Sequence, residues 1–266
     1  MSNIRIKRIK SGKKVLEDIN ENKMRYLIIH YSCESFYNIN DGRTPRITSI
    51  AIRYLATAQT VSFSIHKIAE RKHMLDNIEE NYDILEKEML KEYFKFVNEH
   101  KDYLWIHWNM RDGNYGFNAI ENRYQVLGGK VKEIEDCKKV DLARLMVDLY
   151  GLNYMGHPRL ENLIDSNSIG KKDFLKGGEE AMAFQNKEFV KLHQSTLRKV
   201  DIFNTIIEKL IDNTLKTNST LKDRYGITPE GIHSMISDNW FISLVCWGMT
   251  MIVSGVVGFY IAKLLE

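Results

Sequence analysis

The stretch "YLIIHYSCESFYNI", residues 26–39, begins as an apolar strand and continues directly into hydroxyls, a thiol and a carboxylate. Most of its first residues are isoleucine, leucine or tyrosine, a composition that favours a buried strand. A strand that only had to turn would end in Gly, Asn or Asp, whereas this one reaches Ser32, Cys33 and Glu34. The sequence therefore raises the question of what these polar residues do at the end of a buried strand.

The segments that follow predict the rest of an α/β domain. Residues 46–56, which alternate between apolar and polar side chains, and residues 60–66 are predicted to complete an antiparallel meander with the first strand. Apolar residues near helical spacing predict a helix over 76–100, and residues 102–108 predict a fourth strand. Later segments are mainly helical: 115–127, 141–151, a short helix in "HPRLENLIDSN" and a long one over 179–215. The expected fold class is α/β, with a mixed sheet made of an antiparallel meander plus a further strand and covered by helices.

This order of elements resembles the ribonuclease H-like fold of the DEDD 3′-to-5′ exonucleases over roughly residues 25–212. The resemblance lies in the pattern and not in close sequence identity. In that family the first strand ends in a D-x-E motif, and two divalent metals, about 3.5 to 4 Å apart, hold the scissile phosphate. The resemblance implies that carboxylates of this chain bind Mg²⁺ or Mn²⁺ and that nucleic acid is the substrate.

Three motifs of the family have counterparts in this chain, each with a departure. The D-x-E motif matches Ser32-x-Glu34, so a serine stands where the metal-bridging aspartate is expected. The aspartate of the second motif matches Asp112, one position short of its usual spacing after an Asn. The helical third motif matches His193 and Asp201, which are eight residues apart where the family has four or five. The resemblance implies metal binding and catalysis by Glu34, Asp112 and Asp201, with His193 as general base.

These departures leave a second hypothesis open, namely a domain that kept the fold and lost the chemistry. Each acid also has an ordinary structural alternative. Glu34 could cap the following loop or pair with Arg43 or Arg46, and Asp112 precedes a glycine in a sequence typical of turns. Asp201 could pair with Arg198 or Lys199 on a solvated helix face.

Residues near the end of the fourth strand predict a surface for single-stranded nucleic acid. Aromatic side chains there could stack on unpaired bases, and basic side chains could contact phosphates. The predicted substrate-binding residues are Ser32, Trp108, Asn109, Arg111, Tyr115 and Arg198. The alternative is that the aromatic side chains belong to the core, which is their more frequent place.

The first fourteen residues carry six basic side chains and no acid, although the whole chain has a net charge of only +3. This segment predicts a solvated basic arm that could also contact phosphates or anionic lipid. The three cysteines are widely spaced and form no CxxC pair, so neither a disulfide framework nor a structural zinc site is indicated.

The segment from Phe241 to Ala262 contains 22 residues and no charge. At about 1.5 Å per residue it is long enough to cross a hydrocarbon core of about 30 Å, so a transmembrane helix is predicted. Trp240 and Tyr260 lie near its ends, as interfacial aromatic residues would. The span follows a large charged domain, which predicts a tail-anchored, single-pass membrane protein with its N-terminal domain in the cytoplasm.

The predicted organisation has four segments: a basic N-terminal arm over 1–24, a ribonuclease H-like exonuclease-type domain over 25–215, a juxtamembrane linker over 216–239 and a transmembrane helix over 240–264. The predicted function is that of a membrane-anchored nuclease-like protein that acts on or binds single-stranded DNA or RNA ends, in a setting such as bacterial antiviral defence. The competing hypothesis is a catalytically inactive ribonuclease H-like interaction module tethered to the membrane. Small residues on one face of the span are compatible with a homo-oligomer, and a protein partner is compatible with both hypotheses.

Overall fold

The computed structural model describes residues 2–35 and 44–265, so residues 36–39 of the opening stretch and Arg43 lie outside the described residues. It contains a mixed sheet of five strands in the order β3-β2-β1-β4-β5. The strands are β1 (Tyr26–Cys33), β2 (Ile47–Tyr54), β3 (Thr60–Ser64), β4 (Leu104–His107) and β5 (Lys139–Asp141). β1 pairs antiparallel with β2 and parallel with β4. The strand that opens the domain is therefore the central strand of the sheet.

Helices flank the sheet and continue to the C-terminus. Their bounds are α1 (Ser2–Glu21), α2 (Ile65–Arg71), α3 (Tyr82–Glu99), α4 (Phe117–Val126), α5 (Leu142–Tyr150), α6 (Arg159–Ser166), α7 (Gly177–Gln185), α8 (Phe189–Ile211), α9 (Leu221–Tyr225), α10 (Pro229–Asp238) and α11 (Trp240–Leu265).

β1 is covered on both faces, which explains its nearly continuous apolar sequence. Successive side chains of a strand point to opposite faces. Leu27 and Ile29 belong to the hydrophobic core that also contains the buried side chains of α3. At an alternate position, His30 packs edge-on against Phe203 of α8, with ring centroids 5.6 Å apart. α3 and α8 therefore lie on opposite faces of the sheet.

The α/β class, the meander and the fourth strand are confirmed, and the differences lie at element boundaries. β5 has only three residues, too few for a periodic pattern to be visible, and it forms through parallel pairing with β4. The single long helix predicted over 179–215 is two helices, because Lys187 between them has a left-handed φ of 61°. The third predicted strand ends at Ser64, and Ile65 begins α2.

The chain divides into two compact units. The larger unit, Val15–Met146 with Gly156–Thr217, contains the sheet. The smaller unit, Met1–Lys14 with Val147–Met155 and Asn218–Glu266, contains the first part of α1 together with α9, α10 and α11. Val147–Met155 belongs to the segment that the sequence predicts as the exonuclease-type domain, whereas the other two parts of this unit come from the predicted arm, linker and span.

The N-terminal segment is helical and not the solvated arm that its charge predicts. Ile6 and Ile9 are 8% and 4% exposed and pack in a small core with Tyr225 of α9. The guanidinium of Arg5 donates hydrogen bonds to four backbone carbonyl oxygens, those of Val147, Asp148, Asp223 and Arg224. Apolar burial and these charge-assisted bonds stabilise the first turns of α1.

α11 is one continuous helix, and its stretch Trp240–Ile261 is long and apolar enough to cross a membrane. Among the side chains that the structure describes in this stretch, none is buried. The side-chain oxygen of Asn239 accepts hydrogen bonds from the backbone N–H groups of Phe241 and Ile242 at 3.1 and 3.3 Å. This cap starts the helix at the residue where the apolar sequence begins.

Candidate functional site: a cleft at the end of the first strand

A cavity of about 420 Å³ lies at the C-terminal end of β1. β1 and the residues directly after it line one side, and α7 and α8 contribute the others. The polar and aromatic side chains that line it include Ser32, Glu34, Tyr115, Glu180 and Lys199. The cavity therefore lies at the polar end of β1, next to the position that the resemblance matches with the D-x-E motif.

The most polar part of the cleft is an internal ion pair. The ammonium of Lys199 lies 2.7 Å from Oε1 of Glu180, and the two side chains are only 7% and 15% exposed. Hydroxyls of Ser32 and Ser195 donate to the same carboxylate oxygen at 3.1 and 3.0 Å. Ser32 Oγ also lies 2.7 Å from Oγ1 of Thr196. Glu180 is thus neutralised by one cation and solvated by hydroxyls in place of water.

Two groups beside this pair are held in their neutral forms. Burial lowers the pKa of His30 well below its usual value, and the positive charge of Lys199 lowers it further. Burial raises the pKa of the Cys33 thiol to about 12. At neutral pH the imidazole of His30 is uncharged and Cys33 is a thiol, so Cys33 does not supply a thiolate nucleophile to this cleft.

Tyr115 forms an aromatic wall of the cleft. Its ring stacks on Tyr31, with centroids 4.7 Å apart and planes inclined by 16°. Its hydroxyl lies 3.4 Å from Nδ1 of His30 and donates to the carbonyl oxygen of Tyr31 at 3.3 Å. One face of the Tyr115 ring is therefore already occupied by protein.

The predicted catalytic residues on α8 have their partners on β2 and β3. Asp201 forms an ion pair with Arg53 at 2.8 Å, and Arg198 lies 3.9 Å from its other oxygen. Nδ1 of His193 lies 2.6 Å from the hydroxyl of Ser49, and burial lowers the pKa of this imidazole to about 3. The structural alternative, an ion pair at Asp201, is thus observed, although with Arg53 as the close partner.

The other two predicted acids differ in their surroundings. Glu34 lines the cleft with Ser32, and its Oε2 accepts a hydrogen bond from the backbone N–H of Arg46 at 3.4 Å. Asp112 is exposed, and its carboxylate accepts from the backbone N–H of Asn114 at 2.8 Å, which is a local turn. The cleft therefore brings together Ser32 and Glu34, while Asp112 stabilises a turn.

The predicted substrate-binding residues also contact other protein groups. Trp108 stacks on Phe203, with ring centroids 5.8 Å apart. Arg111 forms an ion pair with Asp141 at 2.6 Å and donates to the side-chain oxygen of Asn109 at 2.7 Å. The guanidinium of Arg198 donates two hydrogen bonds to the carbonyl oxygen of Gly170.

These partners do not fit a two-metal centre of the kind that the resemblance implies. Such a centre needs several carboxylates that face the same cations. Within residues 2–35 and 44–265, no group of three or more His, Cys, Asp or Glu side chains is placed to hold a metal ion. The carboxylate of Glu180, which accepts from Ser32 in the cleft, already contacts the ammonium of Lys199. The cation that faces Glu180 is therefore an ammonium of the protein itself.

The ion pair is the part of the site that the sequence motifs do not predict. One signal for it exists in α8, where Leu192, Thr196, Lys199 and Phe203 follow one another at intervals of four, three and four residues. This spacing places a lysine on the buried face of an amphipathic helix. A cation in such a position requires a buried partner, which here is Glu180.

Comparison of the chain with models of known protein families finds no match, and comparison with curated proteins finds none either.

Proposed function

We propose that this protein is a membrane-tethered, ribonuclease H-like interaction module that does not hydrolyse nucleic acid. The sheet supports the fold relationship, since β1, β2 and β3 form the antiparallel meander and a further strand lies parallel to β1. α11 supports the tether, because it is long and apolar enough to span a bilayer. We infer that the module binds a partner through the cleft at the end of β1, because this cavity of about 420 Å³ presents polar and aromatic side chains to a ligand.

The observation that carries this proposal is the buried Lys199–Glu180 pair beside Ser32. In two-metal nucleases, divalent cations activate a water molecule and stabilise the leaving oxygen. Here the positive charge of the cleft is an ammonium held within 2.7 Å of a carboxylate. A divalent cation at Glu180 would lie beside this like charge, or would have to displace Lys199 from its buried place.

The test is a degradation assay with the detergent-solubilised full chain and end-labelled single-stranded DNA and RNA, in Mg²⁺ and in Mn²⁺. We expect no metal-dependent shortening of either strand, and the same result for Glu34→Gln, Asp112→Asn and Asp201→Asn. Electrophoretic mobility of the same labelled strands measures whether the cleft binds nucleic acid without cleaving it. Metal-dependent loss of 3′ nucleotides that Glu34→Gln abolishes would overturn the proposal.

We further propose that α11 crosses the membrane with the preceding residues on the cytoplasmic side. Two basic residues, Lys222 and Arg224, lie within about 20 residues before the span and one, Lys263, follows it, and this bias supports the orientation because Lys and Arg near a span are retained in the cytoplasm. Alkaline extraction of membranes tests the anchor, and protease digestion of sealed vesicles of each orientation tests the sidedness. Release of the chain by alkali, or cleavage of residues 1–239 only from the outer face of the cell membrane, would contradict this part.

A further inference from the structure

We propose that the basic face of α1 binds anionic lipid headgroups next to the point where α11 enters the bilayer. This inference rests on the membrane anchorage proposed above and goes beyond it, because it assigns a lipid chemistry to a surface outside the cleft. The observations come from the smaller unit alone.

Three of the basic residues of α1 lie outside its packed side, whereas Arg5 and Lys13 contact other parts of the smaller unit. Lys7, Lys10 and Lys14 are exposed and are spaced by three and four residues, which places them along one face of the helix. Ile6 and Ile9 are buried, and a side chain added at Gly12 would meet Leu149 at 3.1 Å. The exposed lysines therefore form a stripe, here called the basic stripe, on a helix whose other side is fixed by packing.

An ion pair places Lys13 of α1 beside the residues that precede the span. Nζ of Lys13 lies 2.7 Å from Oδ2 of Asp238, the last residue of α10. Trp240, two residues later, begins α11 and is typical of the aromatic residues that lie at the membrane interface. When α11 is inserted in the bilayer, Lys13 therefore lies at the depth of the lipid headgroups. Lys7, Lys10 and Lys14 lie on the same helix, each within two turns of Lys13.

The charge of this surface selects the partner. The first fourteen residues contain six cations and no acid, and the acids of α1 begin only at Glu17. Lys10 also lines a shallow groove with His233 and Glu230 of α10, so one carboxylate is present at its edge. A nucleic acid bound to the basic stripe would be repelled by the anionic surface of the membrane. Anionic headgroups are part of that surface, so they can contact the same lysines without this repulsion.

The experiment uses the full chain reconstituted in phosphatidylcholine vesicles that contain phosphatidylglycerol. Trace phosphatidylglycerol or trace phosphatidylcholine carries the same fluorescent acyl chain, and energy transfer from the tryptophans, Trp240 above all, measures how often each lipid is adjacent. Each lysine held at an anionic surface is worth about a fivefold preference at low salt, so three lysines give at most about 125-fold. We expect transfer to the anionic lipid to exceed transfer to the neutral one and to fall as salt is raised.

The variant Lys7→Gln/Lys10→Gln/Lys14→Gln removes the basic stripe and should bring the ratio of the two transfers close to one. The matched control is Lys87→Gln/Lys91→Gln/Lys95→Gln on α3, which removes three exposed charges at similar spacing and should retain the ratio. The salt titration of the unaltered chain gives the same answer without any substitution.

A ratio of one in the unaltered chain overturns the headgroup proposal and leaves the anchorage intact, because both lipids still receive energy. An equal loss in the control on α3 also overturns it. Absence of transfer to either lipid, with no co-flotation of protein and vesicles, identifies failure of the anchorage itself. Retention of a labelled single strand on neutral vesicles that depends on the basic stripe would assign these lysines to nucleic acid and likewise overturn the proposal.

Discussion

Replacement of Lys199 by methionine tests how much the internal ion pair of the cleft contributes to stability. In Lys199→Met the partners that the Glu180 carboxylate retains among the described residues are the hydroxyls of Ser32 and Ser195. Removal of one partner from a buried pair costs about 3 to 5 kcal/mol, because an uncompensated charge is left in a poorly solvated place. Since Glu180 is 15% exposed, we expect the lower value, about 3 kcal/mol. This corresponds to a fall in Tm of about 6 to 12 °C for a domain of this size.

Removal of both charges separates the ion pair from packing. Glu180→Gln/Lys199→Met replaces the pair with neutral groups of similar volume and should recover most of the lost stability. The control is Lys191→Met on the same helix, because Lys191 pairs with Glu188 at 2.9 Å while the two side chains are 53% and 40% exposed. A surface pair of this kind contributes at most about 1 kcal/mol.

The assay is thermal unfolding of the full chain in detergent, followed by near-ultraviolet circular dichroism. Equal midpoints for Lys199→Met and Lys191→Met would refute the view that the ammonium compensates a buried charge. A double variant that unfolds below the single Lys199→Met variant would refute it as well, since packing would then account for the loss.

Acidification should destabilise the folded chain, because burial lowers the pKa of His193 to about 3 and lowers the pKa of His30 well below its usual value. Both imidazoles stay neutral in the folded state, whereas in the unfolded state they take up protons below about pH 6.5. Below this pH the free energy of unfolding therefore falls by about 1.4 kcal/mol per pH unit and per histidine. Urea titrations at several pH values give the free energy of unfolding as a function of pH, and this dependence should be weaker in His193→Asn. An unchanged dependence on pH would show that His193 is not a buried, neutral imidazole. Ser32→Asp adds a carboxylate beside that of Glu180 and should lower Tm by several degrees, with no recovery in Mn²⁺. A rise in the Tm of this variant with Mn²⁺ would show a metal site. Arg5→Lys should speed amide hydrogen exchange of residues 2–14, because an ammonium cannot make the set of hydrogen bonds that the guanidinium makes with backbone carbonyl oxygens. Arg8 is exposed, so Arg8→Lys should leave the exchange unchanged. Equal exchange rates in the two variants would exclude a role of Arg5 in holding α1.

The regular elements follow largely from local patterns in the sequence. β1 is recognisable from its apolar run, β2 from its alternation and α11 from its length without charge. Each of these signals lies within one segment, so neither the rest of the chain nor the packing is needed to detect it. β5 has no such signal, because three residues become a strand only when β4 is available to pair with them.

The N-terminal segment shows how tertiary contacts override a local pattern. Its charge favours a solvated arm, and Ile6 and Ile9 alone form only a sparse apolar face. The helix is held by Tyr225 and by carbonyl oxygens near residues 147 and 223, all distant in the sequence. A pattern search within one segment cannot detect partners of this kind.

In the cleft, Ser32 and Glu34 could be singled out from the sequence, because they are polar residues at the end of an apolar strand, and both line the cavity. The side chains opposite them could not be, because they come from helices that are distant in the sequence. Ser32 meets Thr196, 164 residues away, and the packing of α7 and α8 beside β1 brings Glu180 and Lys199 together. A buried charge requires a partner in space, and the packing of helices, not the spacing along the chain, selects the residue that supplies this partner.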